Sequence, residues 1–209
     1  VGLGHTRRAR AFQEEIRVFA EDRIRPVATE LDERAEFPWE NVRAMAEKGW
    51  FGIPIPQEYG GLGRDYMSYT IAVEELARVD ASHSITVSAH TTLGASPILY
   101  FGTEEQKRKW LPTLAKGRVL GGFGLTESGA GSDASGTRTR AVREGEGWRL
   151  NGTKIFITHA GVGEVFVVTA VTDPDAGAKG ITSFIVCKPT ADLDRAEASG
   201  VGHEAGLEF

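Results

Sequence analysis

Cysteine is almost missing: Cys187 is the only one in 209 residues. No disulfide can form within the chain, which fits a reducing cytoplasm better than an export route. Its neighbours Phe184, Ile185 and Val186 put Cys187 on an apolar strand, as a packing residue rather than a reactive thiol. Histidine is sparse too. His5, His83, His90, His159 and His203 form no i, i+4 pair and have no Cys at metal spacing, so no metal site is expected. The chain lacks a dense Lys/Arg block and carries a net charge of -5, which excludes nucleic acid as an expected partner. It also lacks an apolar run long enough to span a bilayer, and the basic first ten residues are not followed by the apolar stretch of a signal peptide. What is present, 41% hydrophobic and 25% charged residues, suffices for a core and gives no case for disorder.

The first half has a helical period. Phe12, Ile16, Phe19, Ile24, Val27 and Leu31 recur near helical spacing, and Pro26 predicts a kink or restart. A second helix is expected over residues 39 to 48, stopped by Gly49. An apolar but irregular loop follows over 50 to 63. Asp65 is placed to cap a third helix with Tyr66, Tyr69, Val73 and Leu76 on its apolar face. Residues 82 to 95, rich in Ser, Thr and Ala, read as a buried helix ending near Gly94 and Pro97. Thr103 and Gln106 form a capping box for a helix carrying Trp110, Leu111 and Leu114, with Gly117 as its stop.

After Gly117 the period changes to that of strands. Strands are expected over 137 to 142, 148 to 150, 153 to 157, 164 to 171 and 181 to 187, with Asn151-Gly152 as a hairpin turn. The reading is an α+β chain: a helical domain over residues 1 to 117, then a β domain over 118 to 209 with too few strands to close a barrel alone. The second domain reads as unfinished at its end.

Glycine is concentrated at residues 121 to 135, Gly-Gly-Phe-Gly-Leu-Thr-Glu-Ser-Gly-Ala-Gly-Ser-Asp-Ala-Ser. Such a loop exposes backbone N–H groups and small hydroxyls and lets a ligand approach, so either a phosphate cradle or a plain flexible turn fits. Residues 129 to 134 match Gly-x-Gly-x-x-Gly/Ala, but a strand pattern follows rather than a helix, which argues against a Rossmann site. Ser132, Asp133 and His159 lack a Gly-x-Ser-x-Gly elbow, so a serine hydrolase is poorly supported. In Lys154-Ile-Phe-Ile-Thr-His159, strand alternation puts Phe156 and Thr158 on one face. That face suits a flat heteroaromatic ring, and a core strand is the plainer alternative.

Together these segments resemble the acyl-CoA dehydrogenase family. The matching stretches are Phe123-Gly-Leu-Thr126-Glu-Ser-Gly-Ala-Gly-Ser132-Asp133, Trp148-Arg-Leu-Asn151-Gly152-Thr-Lys154-Ile-Phe156-Ile-Thr158 and Lys179-Gly180-Ile-Thr-Ser-Phe184-Ile-Val. Upstream, Pro54-Ile-Pro56-Gln-Glu58-Tyr59-Gly60-Gly61, Glu74-Glu75-Leu76-Ala77 and Phe101-Gly102-Thr-Glu-Glu-Gln106-Lys107 continue it in order, and the stretch from Ser88 to Gly94 looks most like short-chain or butyryl-CoA members. The resemblance implies a helical N-terminal domain, a β-barrel-like middle domain, and a C-terminal four-helix bundle that this chain stops short of. It implies FAD as cofactor, held by Phe123, Leu125, Thr126, Gly131, Ser132, Phe156, Ile157 and Thr158, with Ser132 and His90 also near the substrate.

The implied reaction, a step of fatty acid β-oxidation, is α,β-desaturation of an acyl-CoA to the trans-2-enoyl-CoA, with electrons passed to an electron-transferring flavoprotein by a cytoplasmic homotetramer. The family's catalytic Glu belongs to the C-terminal bundle and nothing here matches it, so no catalytic residue is assigned and the 209 residues alone are expected to be inactive. Glu127 reads as a structural carboxylate near backbone N–H groups. Three residues depart from the family pattern: Ser128 for Pro, Phe156 for Trp, and His159 for Asn, the last adding a titratable group. A non-catalytic fragment, or a flavin-dependent oxidase or monooxygenase on the same fold, stands as the alternative.

Overall fold

A computed structural model describes residues 7 to 188 and the backbone of 206 to 208. Expectations that fall on the tail beyond residue 188 otherwise lie outside the described residues. The chain divides into two compact units, Val1–Val119 and Leu120–Phe209. The first is helical and the second is built on a sheet, an α+β chain as the residue periods imply.

Helix α1 (Arg7–Phe19) buries Phe12, Ile16 and Phe19 at steps of four and three. Ala20 is also buried, and the next large core residue, Ile24, is five positions beyond Phe19. A π turn over Ala20–Ile24, closed by Arg25 N–H on the Ala20 carbonyl, absorbs the extra residue and keeps Ile24 inward. Helix α2 (Arg25–Arg34) then restarts with Pro26 in its first turn, where a missing N–H costs no hydrogen bond. The expected restart is present, but α2 buries none of its residues, and Val27 and Leu31 are only half covered. Helix α3 (Trp39–Glu47) ends just before Gly49, and the stretch after it packs Trp50, Phe51, Ile53, Ile55 and Tyr59 inward through two short 3-10 turns.

Asp65 caps helix α4 (Tyr66–Ala77) by accepting from Ser68 N–H at 2.8 Å. The buried face is Ser68, Tyr69, Ile71, Ala72, Glu75 and Leu76, so it is rotated from the expected one: Tyr66 is 48% exposed and Val73 half-buried. Glu75, which an apolar pattern skips, belongs to that face because cations neutralise it. Helix α5 (Ala81–Ala89) does not stop at Gly94 and Pro97. It passes through a second π turn, His90–Ala95, into α6 (Ser96–Phe101), with Pro97 again in the first turn after the widening. Helix α7 (Glu104–Ala115) has the expected Thr103/Gln106 capping box, and it continues past Pro112 to Ala115.

In the second unit, β4 (Val165–Val171) is central, buried from Val165 to Ala170 on both faces. It pairs in parallel with β1 (Gly121–Gly124) and antiparallel with β5 (Ile181–Cys187) along seven residues. It meets β2 (Arg140–Glu144) at Arg140 and Val171. Strand β2 turns back through Gly145-Glu146 into β3 (Gly147–Thr153), whose far end pairs with β6 (Gly206–Glu208). Among the described residues no pairing closes this path into a barrel. The core joins Ala141, Leu150, Phe166, Val168, Ala170 and Val186, with Trp148, Ile157 and Phe184 against it.

Two strand expectations are overturned. The hairpin turn is Gly145-Glu146, and β3 runs straight through Asn151-Gly152. Gly152 is needed for contact instead: a Cβ there would lie 2.3 Å from Thr139 Oγ1. The expected strand over 153 to 157 is absent beyond Thr153, because Phe156 (φ 58°) and His159 (φ 69°) are left-handed and break the alternation. Strand β2 also starts only at Arg140, residues 137 to 139 being irregular.

Candidate functional site

Lacking a ladder, residues 154 to 159 run beside β1 and the loop after it, held by hydrogen bonds to both. Lys154 Nζ donates to the Leu125 carbonyl (3.0 Å), Ile155 N–H to the Thr126 carbonyl (2.9 Å), and His159 Nδ1–H to the Gly121 carbonyl (2.8 Å). The approach is close enough that a Cβ on Gly122 would lie 2.8 Å from the Thr158 carbonyl oxygen. The two segments that sequence reading singled out are therefore neighbours.

Their side chains form a mixed surface. Phe123, Leu125, Thr126, Ile157 and Thr158 are half-buried, whereas the Phe156 ring is 88% exposed. A large ring standing in solvent on a left-handed backbone is costly on both counts, a combination that collects at ligand sites. Gly131 and Ser132 are exposed on the same loop, tied back by the reciprocal Glu127 and Ala130 backbone bonds (2.8 and 3.2 Å). A Cβ on Gly131 would meet only Thr126 Cγ2, at 3.9 Å, so the backbone is open to an approaching group. The arrangement offers an aromatic face, hydroxyls at its edge and an open loop for an anion.

Below this surface lies a buried ionic knot. Lys154 is fully buried, and its ammonium also donates to Glu127 Oε1 (2.8 Å) and Thr169 Oγ1 (3.2 Å). Glu127 further accepts from Arg138 N–H (2.7 Å), Thr139 N–H (3.0 Å) and Thr139 Oγ1 (2.6 Å). Burial alone would raise the Glu127 carboxyl. The Lys154 and Thr139 side chains with the two backbone donors outweigh it and hold the carboxyl down at about 2. Glu127 is thus the structural carboxylate its neighbours suggested. Lys154 has no role in the sequence reading, although a lysine leading Ile155, Phe156 and Ile157 is the available signal of a buried cation.

Other candidates separate. His90 is fully buried in the helical unit, its Nε2 3.0 Å from the Leu114 carbonyl and its ring edge-on to Phe51. Asp133 is spent on Ser135, whose N–H it accepts at 3.1 Å, and His159 on Gly121, so no Ser-His-Asp array forms. The Gly-x-Gly match leads into one 3-10 turn, Ala134–Gly136, not a helix. No group of His, Cys, Asp and Glu suited to a metal occurs among the described residues. Within them no helix is long and apolar enough to cross a membrane.

Comparison with known proteins gives the same outline. A short-chain-specific acyl-CoA dehydrogenase of Clostridium acetobutylicum is 49% identical over 183 residues, 88% of this chain and 48% of that protein. The butyryl-CoA dehydrogenase structure from Megasphaera elsdenii superposes with a TM-score of 0.86 at 41% identity, covering 91% of this chain and 51% of that one. An acyl-CoA dehydrogenase from Bacillus anthracis, solved in complex with FAD, has a TM-score of 0.80 at 33% identity, over 90% of this chain and 32% of that one. The chain spans about half the length of the curated relatives it matches. The N-terminal domain model of acyl-CoA dehydrogenases matches residues 6–118 and the middle domain model 122–205, and the chain belongs to the acyl-CoA dehydrogenase family.

Proposed function

We propose that this chain provides the flavin-binding part of an enzyme that desaturates acyl-CoA thioesters, with FAD lying along the surface formed by residues 121 to 132 and 154 to 158. The carrying observation is the juxtaposition of those segments under an exposed Phe156 ring. The residues present fit FAD: a flat heteroaromatic ring matches Phe156 with Phe123, Leu125 and Ile157, the hydroxyls of Thr126 and Thr158 suit its polar edge, and Gly131 with Ser132 leaves room for pyrophosphate. FAD supplies a hydride acceptor when bound.

The chain's own residues position and exclude. Phe156 and Ile157 cover a ring and keep water from it, and Thr158 and Thr126 fix its rotation by hydrogen bonds. Proton removal from the acyl α-carbon needs a carboxylate free to take a proton. Glu127, with four donors and a carboxyl held at about 2, is not that group. Butyryl-CoA and similar short acyl chains are the proposed substrates, an electron-transferring flavoprotein the acceptor, and a cytoplasmic homotetramer serving β-oxidation the setting; the short-chain-specific and butyryl-CoA relatives support the substrate class.

The test is anaerobic addition of butyryl-CoA to the intact, FAD-loaded protein. Bleaching of the flavin band with formation of the enoyl-CoA is expected. A flavin that no acyl-CoA bleaches, yet which consumes oxygen after chemical reduction, would sink the dehydrogenase reading. The 209-residue chain alone should bind FAD without bleaching.

A further inference from the structure

We propose that Lys154 is a positioning residue for the flavin site: its buried ammonium pulls the Leu125 carbonyl inward and thereby aims the Thr126 N–H outward, at whatever occupies the surface above. The inference rests on the flavin reading for the identity of that occupant, and on geometry for the rest. In a planar trans peptide the carbonyl and the following N–H point in opposite directions. Leu125 O lies 3.0 Å from Lys154 Nζ, so Thr126 N–H points away from the buried cation. A cation on the oxygen also polarises the peptide and makes that N–H a stronger donor.

The ammonium is built for one orientation. Its three donors reach Leu125 O, Glu127 Oε1 and Thr169 Oγ1 at 3.0, 2.8 and 3.2 Å, the last on central strand β4. Thr169 Oγ1 in turn donates to the Gly124 carbonyl at 3.4 Å. The next residue, Ile155, holds the Thr126 carbonyl at 2.9 Å, so both carbonyls flanking the Thr126 N–H are bound by consecutive residues. Glu127 supplies the counter-charge and takes the amides of Arg138 and Thr139, which anchor the far end of the loop. Neutralising the pair and positioning the peptide are separable functions, because Glu127 answers the charge while only Lys154 reaches Leu125.

A double variant separates them. In Lys154→Met with Glu127→Gln the buried charges are removed together, so the fold survives more readily than in Lys154→Met alone, but nothing holds Leu125 O. Two readouts are compared with the parent: FAD affinity by flavin fluorescence, and amide hydrogen exchange at Ile155 in the FAD-free protein. The double variant should bind FAD about tenfold more weakly, the scale of one well-made hydrogen bond, and exchange Ile155 at least about tenfold faster. Parental affinity and exchange in the folded double variant would overturn the proposal and leave the pair as charge balance. A double variant that does not fold would overturn it too, by assigning the pair to folding. A parent that binds no FAD refutes the flavin reading, while the exchange arm still decides on Lys154.

Discussion

Each unit buries one glutamate among its described residues, and the two are neutralised in different ways. Glu75 on α4 accepts from Arg17 (2.8 and 3.0 Å), Gln13 (2.7 Å) and Arg78 (2.8 Å), and both guanidinium side chains are more than 40% exposed. Glu127 is answered by a lysine with no exposure at all and by backbone amides. Both carboxyls sit at about 2. For Glu75 the Arg17 hydrogen bond leads and burial opposes it, whereas for Glu127 burial is the largest effect and the donors together overcome it. The helical clamp joins α1 to α4 through cations that stay partly exposed. In the β unit the cation is itself fully buried, so losing one partner leaves a buried charge, which makes the knot unforgiving and therefore able to fix a loop.

Breaking each pair should expose that difference. Lys154→Met leaves Glu127 charged and buried, with a loss of about 3 to 5 kcal/mol in urea unfolding. Arg17→Met still leaves Arg78 and Gln13 donating to Glu75, with a loss of about 1 kcal/mol. Equal losses would refute the distinction. The acid limb is shared: both folded carboxyls lie below their ordinary 4.5, so their stability is complete above pH 4.5 and drains as the pH falls toward 2.

Next in size is Gly152→Ala. The new methyl would press on Thr139, which donates twice to Glu127, and about 1 to 3 kcal/mol should be lost. Gly145→Ala, at an open turn with nothing within 4 Å of its Cβ position, carries only the smaller left-handed penalty of about 1 kcal/mol. The reverse ranking would restore Asn151-Gly152 as the turn.

Helix existence was legible because its signals are local: Asp65, Thr103 with Gln106, and the step of Phe12, Ile16 and Phe19. The π turns were not, since Ile16, Ala20 and Ile24 recur at an ordinary helical step of four, and the proline that follows each widening reads only as a kink or a stop. The Asn151-Gly152 signal failed because packing against Thr139 claimed the glycine. In the site, the composition of the two segments could be read directly, but their adjacency runs through Lys154, whose burial only the fold reveals. The Leu114 carbonyl opposite His90 is likewise visible only in the fold.

A smaller contrast opposes the two left-handed residues of segment 154 to 159. Phe156 has no fold-stabilising burial to lose, so Phe156→Ala should change stability by less than about 0.5 kcal/mol. Phe156→Gly, free of the left-handed penalty, should be about 1 kcal/mol more stable than the Ala variant. Both should weaken FAD by about tenfold, an aromatic contact being worth about 1 kcal/mol. A Gly variant less stable than the Ala variant would contradict the backbone assignment, and unchanged FAD binding would remove Phe156 from the site.

His159, its partner in the contrast, is buried, and the expected effect is the smallest of the set. Burial lowers its pKa below 6.5, although the Gly121 carbonyl works the other way. The folded state thus holds a neutral imidazole while the unfolded chain protonates near 6.5, so this group's stability is complete above that pH and declines as pH falls through it. Asn tolerates the left-handed backbone and can still donate to Gly121. His159→Asn should therefore leave the melting temperature near its parental value at about pH 7.5 and lessen its fall at about pH 5.5. A parental fall in the variant would show that the step belongs to another group, and the segment's two left-handed residues would then differ only in exposure.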